Sequence, residues 1–152
     1  MITLEQLETE AETWGVAVDS RILPDTLMGV YSHEHRLILM DSRLNCRQQR
    51  CVLAHELVHA WFGDDGCDGL FGGKAEARTR RIAARLLIGV DDYRMAEAAY
   101  SGMEYPMAES LEVTVQVLED YRSLLEGSLR DAAEVGLIPF AGDSPRSHEP
   151  LV

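Results

Sequence analysis

The sequence predicts an α+β chain, mostly helical, with a small β-sheet near the N-terminus. Two patterns carry that prediction. Between residues 16 and 40, short apolar runs alternate with turn-forming residues, as strands do. From about residue 45, apolar residues recur at spacings of three and four, as on helix faces. A chain of 152 residues, 46% of them hydrophobic, suffices to bury a core as one domain. We assign residues 1–140 to that domain. Residues 141–152, dominated by Gly, Asp, Ser, Pro and Arg, read as a disordered tail.

Taken in order, residues 3–14 place Leu4, Leu7 and Ala11 at helical spacing and stop at Trp14-Gly15. Residues 16–19 form a short strand and 22–24 a turn or edge segment. Strands follow at 27–32 and 36–40, with His33-Glu34-His35 as the hairpin tip. Helices are expected at about 45–62, 75–88 and 90–100, followed by a C-terminal pair. Residues 106–125 have the cadence of a helix-turn-helix: one helix ends near Leu111, Glu112-Val113-Thr114 turn, and a second begins beside Thr114. A DNA-reading helix presents Arg, Lys, Asn or Gln at its exposed start. This one offers Gln116 among Glu119 and Asp120, so it reads as a packing module.

The chemistry concentrates at residues 55–59, His-Glu-Leu-Val-His, inside the apolar run that includes Val52, Leu53, Leu57, Val58 and Trp61. On an α-helix, residues four apart differ by about 40° in azimuth and about 6 Å in height. His55 and His59 can therefore offer two imidazoles to one Zn²⁺, while Glu56 takes a proton from the attacking water without occupying the metal. The bland alternative is two surface histidines and a surface glutamate. The apolar stripe, which anchors the segment in a core, and the small Ala54 and Ala60 argue against it. A catalytic zinc is favoured over a structural one, which would close all four positions and lean on cysteine.

A third ligand is required. No histidine follows until His148, so the candidates are acidic. Glu76 opens the next periodic segment, which can fold back on the motif helix after the Gly-rich loop, and is the first choice. Asp64, Asp65 and Asp68 on that loop remain alternatives, although Asp beside Gly also simply forms turns. Cys51, one turn before His55, points to the core, while Cys67 lies in the loop near the site. Three cysteines without a Cys-x-x-Cys pair suggest neither a disulfide framework nor a zinc knuckle. The start of the chain is acidic, with no basic signal start, and no apolar run suffices to cross a bilayer, so a cytoplasmic location is expected. A formal net charge of −12 opposes direct nucleic acid binding. Nothing in the sequence demands an oligomer, and a monomer is favoured.

Val30-Tyr31, Leu37-Ile38-Leu39-Met40-Asp41 and Arg50-Cys51-Val52-Leu53-Ala54-His55-Glu56-Leu57-Val58-His59-Ala60, followed by Glu76 and Ala83-Ala84-Arg85-Leu86-Leu87-Ile88, resemble the ImmA/IrrE family of metallopeptidases. The resemblance extends weakly into 106–125. It implies a zincin-like fold similar in layout to thermolysin-like enzymes. His55, His59 and Glu76 would hold one zinc ion and Glu56 would be the general base. The substrate implied is a helix-turn-helix repressor encoded by a phage or mobile element. Two positions depart from the family pattern. Thr79-Arg80 stand where relatives often have Ala followed by Asn or Asp, and Gly89 stands where Pro is common.

An oxyanion partner besides zinc is needed. Tyr31, His33, His35 and Tyr93 are candidates, each also readable as an ordinary packed ring or hairpin-tip residue. Residues 36–40, as a sheet edge above the cleft, would receive substrate as an added strand. The competing reading is a non-proteolytic regulator that keeps the zinc scaffold and binds its partner. An intact Glu56 favours the enzyme.

Overall fold

The computed structural model describes residues 1–64 and 72–127. The expectations for Asp65, Cys67, Asp68 and the tail 141–152 fall outside the described residues. The order is helix α1 (Leu4–Thr13), strands β1 (Ala17–Arg21), β2 (Gly29–Ser32) and β3 (Leu37–Asp41), then helices α2 (Cys46–Phe62), α3 (Gly72–Leu87), α4 (Val90–Tyr100), α5 (Glu104–Ser110) and α6 (Val115–Gly127). No described helix is long and apolar enough to cross a membrane.

Local chemistry sets the helix ends. Thr3 accepts from the Gln6 N–H while the Gln6 side chain accepts from the Thr3 N–H, at 3.2 and 2.8 Å. Asn45 and Gln48 repeat this reciprocal cap at the start of α2. Each cap satisfies backbone donors that a helix start otherwise leaves open. Gly63 ends α2 in the left-handed conformation, φ 67°, where a side chain would be strained.

The sheet runs β1-β3-β2, with β1 parallel and β2 antiparallel to β3. Ala17 faces Leu37 on one side, and Tyr31 faces Ile38 on the other. This corrects one expectation. Residues 36–40 belong to the central strand, whose ladder is filled on both sides, so they have no free edge for a peptide. Among the described residues the edges are β1 and β2, and β2 packs along α2 together with β3.

α2 is the axis of the molecule. It packs against α1, α3, β2 and β3, and from Arg50 to Trp61 every residue but His55 is buried. A stripe was expected; the helix is instead enclosed on nearly all sides, as a core helix is. Leu53, Ala54 and Leu57 form its centre, and Trp61 packs against Trp14 with ring centroids 5.4 Å apart.

Arg50 ties this core together. Its buried guanidinium donates to the carbonyls of Ile2 (2.7 Å), Leu87 (3.0 Å) and Glu112 (2.7 Å). Leu87 ends α3 and Glu112 follows α5. One cation thus serves carbonyls left open where two helices stop, and it sits where their dipoles favour positive charge.

Candidate metal centre

α2 carries His55, Glu56 and His59, and α3 packs against it so that Glu76, in its second turn, meets both imidazoles. His55 Nε2 lies 3.2 Å from Glu76 Oε1, His59 Nε2 lies 3.2 Å from Glu76 Oε2, and the two Nε2 atoms are 3.2 Å apart. The three side chains form a group able to hold a metal ion. For ligands about 2.05 Å from a tetrahedral ion, the edge between two ligands is about 3.3 Å. The separations match that edge, so the donor set fits a small divalent ion by both chemistry and spacing.

The electrostatics agree with that arrangement. Hydrogen bonds from His55 and then His59 hold the Glu76 carboxyl well below the usual range, against the opposing effect of burial. Burial disfavours a charged His59, yet the Glu76, Glu56 and Asp64 carboxylates outweigh it and raise its pKa. Glu56 is 7% exposed, and burial pushes its carboxyl up. The two histidines and the Tyr31 backbone N–H pull it the other way. A carboxylate with little water around it is the more basic for it.

β2 closes over Glu56. A Cβ added at Gly29 would collide with Val52 Cγ1 and stand 3.2 Å from Glu56 Cγ. Glycine is required here by close approach, since its φ is ordinary. A cavity of about 360 Å³ opens beside the group. His55, Glu56 and Glu76 line it together with Leu27, Met28 and Gly29 at the start of β2 and Thr114, Gln116 and Val117 at the start of α6. Gln116 and Asp120 of α6 thus face this cleft. Gln116 is turned toward Glu119 and Asp120. Arg80 forms a two-pronged pair with Asp120, at 3.0 and 2.5 Å, that joins α3 to α6.

The four candidate oxyanion donors are not gathered at the cleft. The Tyr31 hydroxyl shares a hydrogen bond with His33 Nδ1 at 3.0 Å, and the ring is buried. His35 bonds Ser32 Oγ at 2.9 Å on the exposed hairpin tip. Tyr93 donates to Glu97 and stacks on Tyr121, ring centroids 5.1 Å apart. None of the four lines the cavity. Asp64, considered above as an alternative ligand, meets the far side of His59 instead, at Nδ1. Cys51 is buried, as expected. Arg50, Gly29 and Arg78 carried no signal in the sequence. Arg50 and Arg78 look like ordinary surface cations, and an isolated glycine in a strand only hints at close backbone approach.

Two imidazoles and one carboxylate brought within reach of a single ion, with His55 and Glu76 also lining a cleft on an α+β scaffold, form the donor set of a candidate metal centre. Residues 22–120 match the family described as the IrrE N-terminal-like domain, a peptidase family. That match spans most of the chain, and the protein belongs to the ImmA/IrrE family of metallopeptidases. No curated protein and no solved structure matches it.

Proposed function

We propose that this protein is a zinc endopeptidase that cuts an extended segment of another protein, a helix-turn-helix repressor encoded by a phage or mobile element. The observation that carries this reading is the His55, His59 and Glu76 donor set, spaced for one tetrahedral ion, with Glu56 buried beside it. Zinc suits two imidazoles and a carboxylate, and when bound it supplies Lewis acidity to the water and to the scissile carbonyl.

Glu56 accepts the proton as the water oxygen adds to the carbonyl carbon. It returns that proton to the amine nitrogen as the carbon–nitrogen bond breaks. The same residue serves as base and then acid, and burial that raises its pKa suits both tasks. Among the described residues β2 is an edge strand and Gly29 at its start lines the cavity, so an extended peptide laid along the cleft can extend the sheet from there. That geometry favours a linker or loop as the cut segment. The net charge of −12 complements a basic, DNA-binding partner. Among the described residues Cys46 and Cys51 are both free thiols, which fits a reducing cytoplasm.

The experiment mixes the purified chain with candidate repressors, with and without chelator, alongside Glu56→Gln. Cleavage that both treatments abolish, while Glu56→Gln still binds zinc, supports the enzyme. A repressor inactivated without cleavage, equally well by Glu56→Gln, would establish a binding regulator instead.

A further inference from the structure

His59 turns Nε2 toward His55 and Glu76, and its other ring nitrogen is engaged as well. Nδ1 lies 3.2 Å from Asp64 Oδ2 and 3.4 Å from the buried Thr79 hydroxyl oxygen. The placement of Asp64 follows from the helix cap. The chain reverses at the left-handed Gly63, and the Asp64 N–H returns to the His59 carbonyl at 3.0 Å. Arg78, two residues beyond Glu76 on α3, donates to the same Asp64 Oδ2. Its guanidinium lies over the Phe62 ring, 3.7 Å from the centroid. Phe62 therefore seats Arg78, Arg78 holds Asp64, and Asp64 meets His59.

This proposal rests on the metallopeptidase reading. We propose that Asp64, held by Arg78, is a positioning residue for the metal: it keeps the His59 proton on Nδ1 and fixes the ring so that the Nε2 lone pair faces the ion. An imidazole can ligate through Nε2 only if that nitrogen carries no proton, and an acceptor at Nδ1 selects that tautomer. Asp64 suits the task because it accepts and has nothing to donate. Arg78 neutralises its charge, and the ring stacking limits how far the guanidinium can move. α3 thus serves the site twice, with Glu76 toward the ion and Arg78 toward the brace behind His59.

The test measures zinc affinity of the full chain by competition with a chromogenic chelator, together with thermal unfolding of the metal-free protein. Asp64→Ala is expected to weaken zinc binding about 10–100-fold. Arg78→Met should weaken it in the same direction but less, and both should leave metal-free melting near that of the wild type. A merely structural role would lower melting and leave affinity unchanged in the folded fraction. Affinity of Asp64→Ala within about twofold of wild type, well short of the usual loss, overturns the proposal. If that variant does not fold, Arg78→Met decides it by the same criterion. A wild-type chain that takes up no zinc would bring down the metallopeptidase reading itself, a result distinguishable from the failure of Asp64 alone.

Discussion

Gly29→Ala tests how closely β2 is set against α2. The added methyl would overlap Val52 Cγ1 and come within 3.2 and 3.3 Å of Glu56 Cγ and Oε1. Carbon atoms rest at about 3.5–4.0 Å, so the neighbours must yield by about 1 Å. Val52 is buried and β-branched, and in a helix one side-chain rotamer dominates, so it has little room to turn. Relief comes from β2 lifting off α2 or from Glu56 swinging aside. Overpacking of this kind costs about 1–3 kcal/mol, read as a lower melting temperature of the metal-free chain. A base displaced by about 1 Å loses about 100-fold in cleavage rate. Zinc affinity should hold, because the donors come from α2 and α3. Val52→Ala removes the colliding atom, so the double variant should recover stability relative to the sum of the single changes. A coupling of about 1 kcal/mol or more is expected between residues in such contact. Purely additive costs, or a Gly29→Ala protein with wild-type rate and melting, would refute the close-approach argument.

Two further outcomes follow from other parts of the structure. Arg50→Met should destabilise the fold by about 3–5 kcal/mol, since three carbonyls lose a charged donor while the cost of burying the guanidinium is recovered. Chemical denaturation measures this directly, and at about 2–4 °C per kcal/mol the melting point should fall by about 6–20 °C. Asp41 accepts from the Arg43 side chain and backbone, which holds its carboxyl well below its ordinary value of 3.8. Because the folded pKa is depressed, its contribution to stability is complete above about pH 4 and is lost as pH falls toward the folded value. Asp41→Asn should therefore flatten the acid limb of a stability–pH curve below about pH 4 while leaving a constant offset at neutral pH.

The local features were legible because short-range rules govern them. The strands expected from apolar spacing and turn residues at 16–19, 27–32 and 36–40, with the hairpin tip at 33–35, fall within about two residues of β1, β2 and β3, and the span of α2 follows likewise. The start of α6 beside Thr114 follows in the same way. Helical spacing alone put His55 and His59 on one side of α2. What periodicity did not reveal was the order of strands. Residues 36–40 look equally apolar as a centre or an edge, and only the parallel pairing with β1 closes their second side. Burial around α2 was also underestimated. A helix with Arg50, His55, Glu56 and His59 reads as one with a polar face, yet each of those groups is met by another element.

Spacing along the chain is enough to set His55, Glu56 and His59 within about one turn of a helix, since four residues make little more than one turn whatever surrounds them. The sequence also made Glu76 the first choice for the third ligand, with Asp64, Asp65 and Asp68 left open, because a segment that folds back to bury its own apolar face carries Glu76 toward the motif helix. The packing of α3 and β2 on α2 decided everything else about the site: the 3.2 Å separations, the cover over Glu56, and the place of Asp64 at the Nδ1 side of His59. Those depend on contacts between residues far apart in the chain, which spacing along a single helix does not encode.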